Sequence, residues 1–143
     1  MDTTLTAAAI ATIISAITSA SITLYINNSN KKKNIDDQLD TLLKLAIQYP
    51  YLESSKFING WNTNKTLDKE EYLRYDIYCT LLFNFLSRVA EFYNYDRNKI
   101  DNYIAAKDWI RLHKEYWINP IEKYENIDSY DDKFKKLIDK YLK

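Results

Sequence analysis

The residues that could carry out chemistry in this chain are few. Its only cysteine, Cys79, and its only histidine, His113, would form a nucleophile and a base if the fold brought them together. Cys79 lies in the most apolar helical stretch, however, where a thiol stays protonated and packs as a small hydrophobic residue. We therefore interpret Cys79 as structural and His113, between Leu112 and Lys114, as a surface or boundary residue.

The composition also disfavours other catalytic and cofactor sites. One histidine and one cysteine cannot supply the four nitrogen or sulfur ligands that a zinc ion usually takes. A single glycine excludes the Gly-rich loops of P-loop and dinucleotide-binding proteins. The carboxylates lie mostly at predicted helix starts, where the helix dipole favours negative charge. The sequence therefore predicts no enzyme, no metal site and no cofactor.

The longest uncharged stretch, residues 5–26, predicts a transmembrane helix. It contains no charged residue, Pro or Gly. Its length matches the roughly 20 apolar residues with which a helix crosses a bilayer. Lys31, Lys32 and Lys33 follow it, and positive residues stay on the cytoplasmic side of a membrane. We expect a single-pass protein of the bacterial inner membrane with residues 1–4 outside. A cleaved signal peptide is the alternative, which the absence of positive charge before the stretch disfavours.

The composition of that stretch is unusual for an anchor. Ala, Ser and Thr make up more than half of it, and small and large residues fall on opposite faces of a helix. Small residues and hydroxyls allow helices to approach closely and to form hydrogen bonds across an interface. The predicted helix-contact or pore-lining residues are Ala8, Thr12, Ser15, Ser19 and Thr23. The alternative is a weak anchor whose hydroxyls bind carbonyls of their own helix.

After the stretch, the pattern predicts a basic juxtamembrane linker (residues 27–34) and a helical cytosolic domain (residues 35–143). Apolar residues at helical spacing predict four helices there, beginning near Ile35, Lys69, Lys99 and Ser129. The only glycine, Gly60, predicts a turn. The predicted fold class is all-α, with one N-terminal transmembrane helix followed by a four-helix cytosolic domain.

The helix from Lys69 to about Tyr93 is predicted to be the centre of that domain. Its middle part is apolar nearly all round, which is typical of a helix buried among others. A capping box from Asp68 to Glu71 is predicted to open it. The predicted core residues are Tyr75, Tyr78, Cys79, Leu82, Leu86, Val89 and Phe92.

Aromatic residues are abundant, with 13 Tyr and 3 Trp. Tyr and Trp are frequent at interfaces because they bury area while keeping a polar tip satisfied. With arginines nearby, they can also stack on nucleotide bases. The candidates for ligand or protomer contact are Trp61, Arg74, Arg88, Trp109, Arg111 and Trp117. The remaining explanation is a core filled with Tyr in a sequence rich in Asn, Ile, Lys and Tyr.

The aromatic pattern over residues 35–143 resembles small single-span membrane proteins of bacteria. The residues that carry it are Pro50-Tyr51-Leu52-Glu53, Phe57, Tyr75, Cys79-Thr-Leu-Leu-Phe-Asn84-Phe, Trp109, Trp117 and Pro120. Some of those proteins are membrane effectors of anti-phage systems, such as the Hailong type, in which the effector is paired with a nucleotidyltransferase. The resemblance implies an oligomeric inner-membrane channel that opens when a cytosolic signal changes.

Together, these patterns predict an oligomeric inner-membrane effector that depolarises the cell in anti-phage defence and is gated through its cytosolic domain. Its expected partners are the lipid bilayer, further copies of the chain, and a cytosolic nucleotide, oligonucleotide or protein. The alternative is a membrane-tethered binding or regulatory subunit with no pore.

Overall fold

Seven α-helices and one 3-10 turn make up the part of the chain that the structure describes. This computed structural model describes residues 3–64, 66, 68–121 and 128–143, with side chains from Thr12 onward. The elements are α1 Thr3–Gln48, the Pro50–Glu53 turn, α2 Ser55–Asn64, α3 Glu70–Phe92, α4 Arg97–Tyr103, α5 Ala106–Leu112, α6 Lys114–Ile118 and α7 Asp132–Leu142. The described residues contain no strand, which confirms the predicted all-α class.

The chain divides into two compact units, Met1–Asn34 (unit 1) and Ile35–Lys143 (unit 2). The predicted linker, residues 27–34, is helical and belongs to α1. Asn, Ser and Lys lower helix propensity by a few tenths of a kcal/mol each (order of magnitude), and no Pro or Gly interrupts the run. The polar composition that suggested a break therefore does not end the helix.

The structure contradicts the predicted transmembrane helix. Among the described residues, no helix combines the length and the apolar character that crossing a membrane requires. Ser and Thr recur throughout α1 from Thr12 to Thr23, and they lower the mean hydropathy of this part of the helix. The predicted single-pass location in the inner membrane, and the arrangement of one membrane helix plus four others, are therefore wrong.

Unit 2 is packed around α3, as its apolar character predicted. All the predicted core residues of this helix are buried except Phe92, which is half-buried. Buried side chains from the surrounding elements complete the same cluster, among them Leu42, Leu52, Ile58, Trp61, Ile100, Ile110, Tyr116, Phe134 and Ile138. The predicted capping box is wrong, because α3 begins after Lys69 with no side-chain cap.

Gly60 lies inside α2 and does not mark a turn. Glycine in a helix interior costs about 1 kcal/mol relative to alanine. The same helix buries Ile58 and Trp61 almost completely. Burial of one large apolar side chain contributes about 1.5–3 kcal/mol. Packing therefore outweighs the local preference of Gly60.

The long helix predicted from Lys99 to Ile118 is divided into α4, α5 and α6. In one straight helix, Ile104 and Tyr116 would point about 120° apart, at 100° per residue. The breaks allow both side chains to reach the core, where each is buried. The breaks also place His113 at the junction of α5 and α6.

Tyrosine hydroxyls join elements that are distant in the sequence. Four phenols donate to carboxylates, and these phenol–carboxylate pairs are Tyr78 with Glu53, Tyr95 with Asp131, Tyr103 with Asp36 and Tyr141 with Asp101. Further phenols bond to uncharged side chains, among them the pairs Tyr75 with His113, Tyr116 with Thr80 and Tyr130 with Asn84. Much of the tyrosine content therefore serves internal packing.

A candidate binding groove and a buried histidine cluster

A groove of about 470 Å³ lies between the Pro50–Glu53 turn, α2 and α3. Small-molecule sites commonly have volumes of roughly 300–1,000 Å³. The groove is lined by Tyr51, Ser54, Lys56, Phe57, Gly60, Lys69, Glu71 and Tyr72. It is therefore large enough to hold a ligand of the size of a nucleotide.

One side of the groove is an aromatic wall made of Tyr51, Phe57 and Tyr72. The ring centroids of Tyr51 and Phe57 lie 4.7 Å apart, and those of Phe57 and Tyr72 lie 5.5 Å apart. The Arg74 guanidinium donates to the Tyr51 hydroxyl over 2.7 Å and lies 4.1 Å from the centre of the Tyr49 ring. These contacts position the wall before any ligand arrives.

The groove carries more positive than negative charge. Lys56 and Lys69 are exposed at its edge, and Glu71 is the one acidic residue in its lining. The Lys69 ammonium lies 5.3 Å from the centre of the Tyr72 ring, so positive charge and aromatic surface adjoin. An anionic group on a ligand would find two ammonium donors there.

Beside this groove lies the His113 cluster, which comprises His113, Glu53, Tyr75, Tyr78 and Cys79. His113 and Cys79 are fully buried. The imidazole Nδ1 is 2.9 Å from the Tyr75 hydroxyl and 3.7 Å from the Cys79 sulfur. On its other side, Nε2 lies 3.4 Å from a carboxylate oxygen of Glu53. The Tyr78 hydroxyl donates to the same carboxylate.

The surroundings of His113 favour a proton on Nε2. The Glu53 carboxylate faces Nε2, so a proton on Nε2 is stabilised by the negative charge. Nδ1 then accepts a hydrogen bond from the Tyr75 hydroxyl. The Nε2 contact to Glu53 is close enough for an ion pair but does not have hydrogen-bond geometry.

The cluster places a thiol, an imidazole and a carboxylate in sequence, but its surroundings oppose nucleophilic chemistry. Burial raises the pKa of the Cys79 thiol well above its ordinary value, so the sulfur stays protonated. Its complete burial also keeps a substrate from reaching it. The interpretation of Cys79 as a structural residue therefore agrees with its environment. That of His113 as a surface or boundary residue is wrong.

Glu53 has no signal in the sequence that would mark it as the partner of His113. It is a single carboxylate in the Pro50–Glu53 turn, and all of α2, α3, α4 and α5 separate it from His113 along the chain. Only the fold reveals the contact, because the turn, α3 and the junction of α5 and α6 meet at this point.

Stability in acid is expected to depend on Glu53. Burial alone would raise its pKa, but contacts with His113 and Tyr78 outweigh burial and lower the pKa below the ordinary value of 4.5. The carboxylate therefore adds stability above that value, and this contribution is lost as pH falls through the folded-state pKa. Urea unfolding as a function of pH should show a shallower acid dependence for Glu53→Gln than for the unchanged protein. An identical dependence would contradict this assignment, and Glu71→Gln, at an exposed site, is the matched control.

The three predicted tryptophans do not converge on one site. Trp61 and Trp117 are buried in the core, where Trp117 stacks on Phe83 with ring centroids 5.0 Å apart. Trp109 is half-buried and meets Phe85 edge to face, with ring centroids 6.2 Å apart. Neither buried indole offers surface to a ligand in this conformation.

The predicted arginines are also dispersed. Arg74 supports the aromatic wall of the groove through Tyr51. Arg88 lines a separate cavity of about 160 Å³ between α1 and α3. The Arg111 Nε donates to the backbone oxygen of Tyr141 over 3.3 Å. Of the six predicted contact residues, Arg74 is therefore the one that the structure places next to the groove.

The predicted residues of α1 lie in unit 1. Thr12, Ser15, Ser19 and Thr23 are exposed, and the Ala8 side chain lies outside the described residues. Lys31, Lys32 and Lys33 are exposed as well. Three hydroxyls donate to the carbonyl four positions earlier, and these pairs are Thr18 with Ile14, Ser21 with Ile17 and Thr23 with Ser19. Of these three donors, Thr23 belongs to the predicted set, whose role in helix contact stays a prediction.

Among the described side chains, no group of three or more His, Cys, Asp and Glu residues is arranged to hold a metal ion. Comparison with protein-family models, curated proteins and solved structures found no match for the chain. Function must therefore be inferred from the geometry of the groove and of the exposed surfaces.

Proposed function

We propose that the chain is a helical binding module that takes a small anionic ligand with a planar ring, such as a nucleotide, in the groove. The observation that supports this most is the aromatic wall beside Lys56 and Lys69. The proposal develops the binding or regulatory role that was the alternative to a pore. The pore is not proposed, since it depends on a membrane span. A role in anti-phage defence stays a prediction.

The groove offers a separate contact for each part of such a ligand. A planar ring can stack on Tyr51 or Phe57, which are half-buried, and stacking on one aromatic side chain contributes about 1–3 kcal/mol. A phosphate can receive charge-assisted hydrogen bonds from Lys56 and Lys69. The Ser54 hydroxyl and the Glu71 carboxylate, which also line the groove, can bond to sugar hydroxyls.

Calorimetric titration of the full chain with adenosine monophosphate tests this function. We expect saturable binding, and weaker binding of adenosine or inorganic phosphate alone, because each engages one half of the groove. The variant Lys56→Ala/Lys69→Ala should bind adenosine monophosphate at least about tenfold more weakly, which corresponds to about 1.4 kcal/mol.

The control is Lys107→Ala, which removes an exposed lysine of α5 outside the groove. It should bind adenosine monophosphate as the unchanged protein does. Absence of saturation at millimolar adenosine monophosphate and at millimolar dinucleotide would overturn the proposed function. An equal loss of affinity in the groove variant and in the control would also overturn it.

A further inference from the structure

The cavity between α1 and α3 that Arg88 lines combines an apolar floor with one positive charge. Its volume is about 160 Å³, and its lining comes from positions 38–42 of α1 and 81–88 of α3, all within unit 2. Leu81 follows the groove residue Tyr72 by about 13 Å along the axis of α3, at 1.5 Å per residue. The cavity is therefore a separate site from the groove.

The floor of the cavity is apolar. It is formed by Leu42 and Phe85, both of which are buried, while Leu81 is exposed at the rim. An alkyl group that reaches this floor leaves water, and the transfer of apolar surface out of water is favourable. The floor therefore favours a ligand with an apolar part.

Arg88 carries the one charge among the described residues that line the cavity. A guanidinium presents its N–H donors as a planar fork, which fits the two oxygens of a carboxylate. No acidic side chain in the described part of the lining competes for this fork. The lining therefore has a positive charge that a ligand with a single negative charge would neutralise.

Asn84 provides a second hydrogen-bond donor, four positions before Arg88 on α3. The Tyr130 hydroxyl donates to the Asn84 Oδ1 over 3.0 Å, which holds the orientation of the amide and leaves its Nδ2 as a donor. The Thr41 hydroxyl already donates to the Asp37 carbonyl over 2.9 Å. The cavity therefore offers the guanidinium of Arg88 and the amide of Asn84 to an anion.

The size of the cavity limits the ligand. Its volume equals that of about five water molecules, at roughly 30 Å³ each, so it holds a ligand of about six non-hydrogen atoms. A nucleotide is too large for it, and a doubly charged phosphate would meet a single cation. Volume, charge and apolar floor together fit a small monoanion with a short alkyl chain.

We propose that this cavity binds a short-chain monocarboxylate of the size of butyrate. Its carboxylate pairs with Arg88 and accepts a hydrogen bond from Asn84, and its alkyl chain packs on Leu42 and Phe85. This site does not depend on whether the groove binds a ligand.

NMR titration of the isotope-labelled full chain with butyrate tests this proposal. We expect saturable shifts of the Asn84 side-chain amide and of the backbone amides at positions 38–42 and 81–88, with a dissociation constant on the order of 1 mM. Butanol, which has a similar alkyl chain and no charge, should bind at least about tenfold more weakly. Arg88→Gln should weaken butyrate binding by at least about tenfold, because it removes the charge-assisted pair.

The matched control is Lys107→Gln, which removes one positive charge from an exposed position of α5 outside the cavity. It should bind butyrate as the unchanged protein does, and amide spectra should show that both variants are folded. Absence of saturation at about 50 mM butyrate would overturn the proposal. Equal affinity for butyrate and butanol, or equal affinity of Arg88→Gln and the unchanged protein for butyrate, would overturn it as well.

Discussion

Replacing Trp61 with alanine is expected to lower the free energy of unfolding by about 3–5 kcal/mol. The indole is fully buried, meets the Tyr75 ring edge to face at a centroid distance of 5.0 Å and lies 6.2 Å from the Tyr116 ring. Its removal leaves a large cavity between α2, α3 and α6. Domains of this size are stable by about 5–15 kcal/mol, so the loss is a large part of the total. Urea unfolding followed by circular dichroism measures it.

Two further variants test whether the loss of stability comes from lost packing. The Trp61 Nε1 has no hydrogen-bond partner among the described residues, so Trp61→Phe loses volume without breaking a bond and should be clearly less destabilising. Trp109→Ala removes a half-buried indole and should also cost less. A loss below about 1 kcal/mol for Trp61→Ala would show that this indole is not a core residue.

Replacing His113 with alanine is expected to have the second largest effect. The change opens a cavity and also removes His113 Nδ1 as a partner of the buried Tyr75 hydroxyl, which keeps only its weaker contact with the Cys79 sulfur. A buried polar group without a partner costs about 1–3 kcal/mol, which adds to the cost of the cavity. Chemical denaturation should show a loss of at least about 2 kcal/mol.

A double-mutant cycle tests whether the lost hydrogen bond of this hydroxyl contributes to the effect. Tyr75→Phe removes the phenol oxygen, so His113→Ala/Tyr75→Phe should be less destabilised than the sum of the two single variants. Strict additivity would contradict the assigned hydrogen bond. Lys114→Ala, at the exposed neighbouring position, should change stability by no more than about 0.5 kcal/mol.

The sequence was most informative about α3. An apolar pattern that extends nearly all round a long helix indicates that the helix is buried on all sides. This can be inferred without knowing which elements surround the helix. The division of residues 99–118 into three helices could not be read in this way. The breaks let Ile104 and Tyr116 face the core together, and that requirement comes from α3 rather than from the local spacing.

The candidate groove was only partly visible in the sequence. Tyr51 and Phe57 belonged to the aromatic pattern over residues 35–143, which did not place them in a groove. Their neighbour Tyr72 belongs to α3, and no local pattern relates it to them. Arg74 was a candidate on composition alone, and its role in holding Tyr51 depends on the approach of α3 to the Pro50–Glu53 turn. Such juxtapositions are properties of the fold.

The phenol–carboxylate pairs determine how the fold responds to alkali. The bond to Asp131 raises the pKa of Tyr95 to about 12, and burial together with a carboxylate raises the pKa values of Tyr78, Tyr103 and Tyr141. In the unfolded chain these phenols ionise near pH 10, so their contribution to stability is complete below pH 10 and declines above it. A phenolate would also lie against a carboxylate of like charge. The bonds that join distant helices at neutral pH are therefore the points at which strong base would separate them.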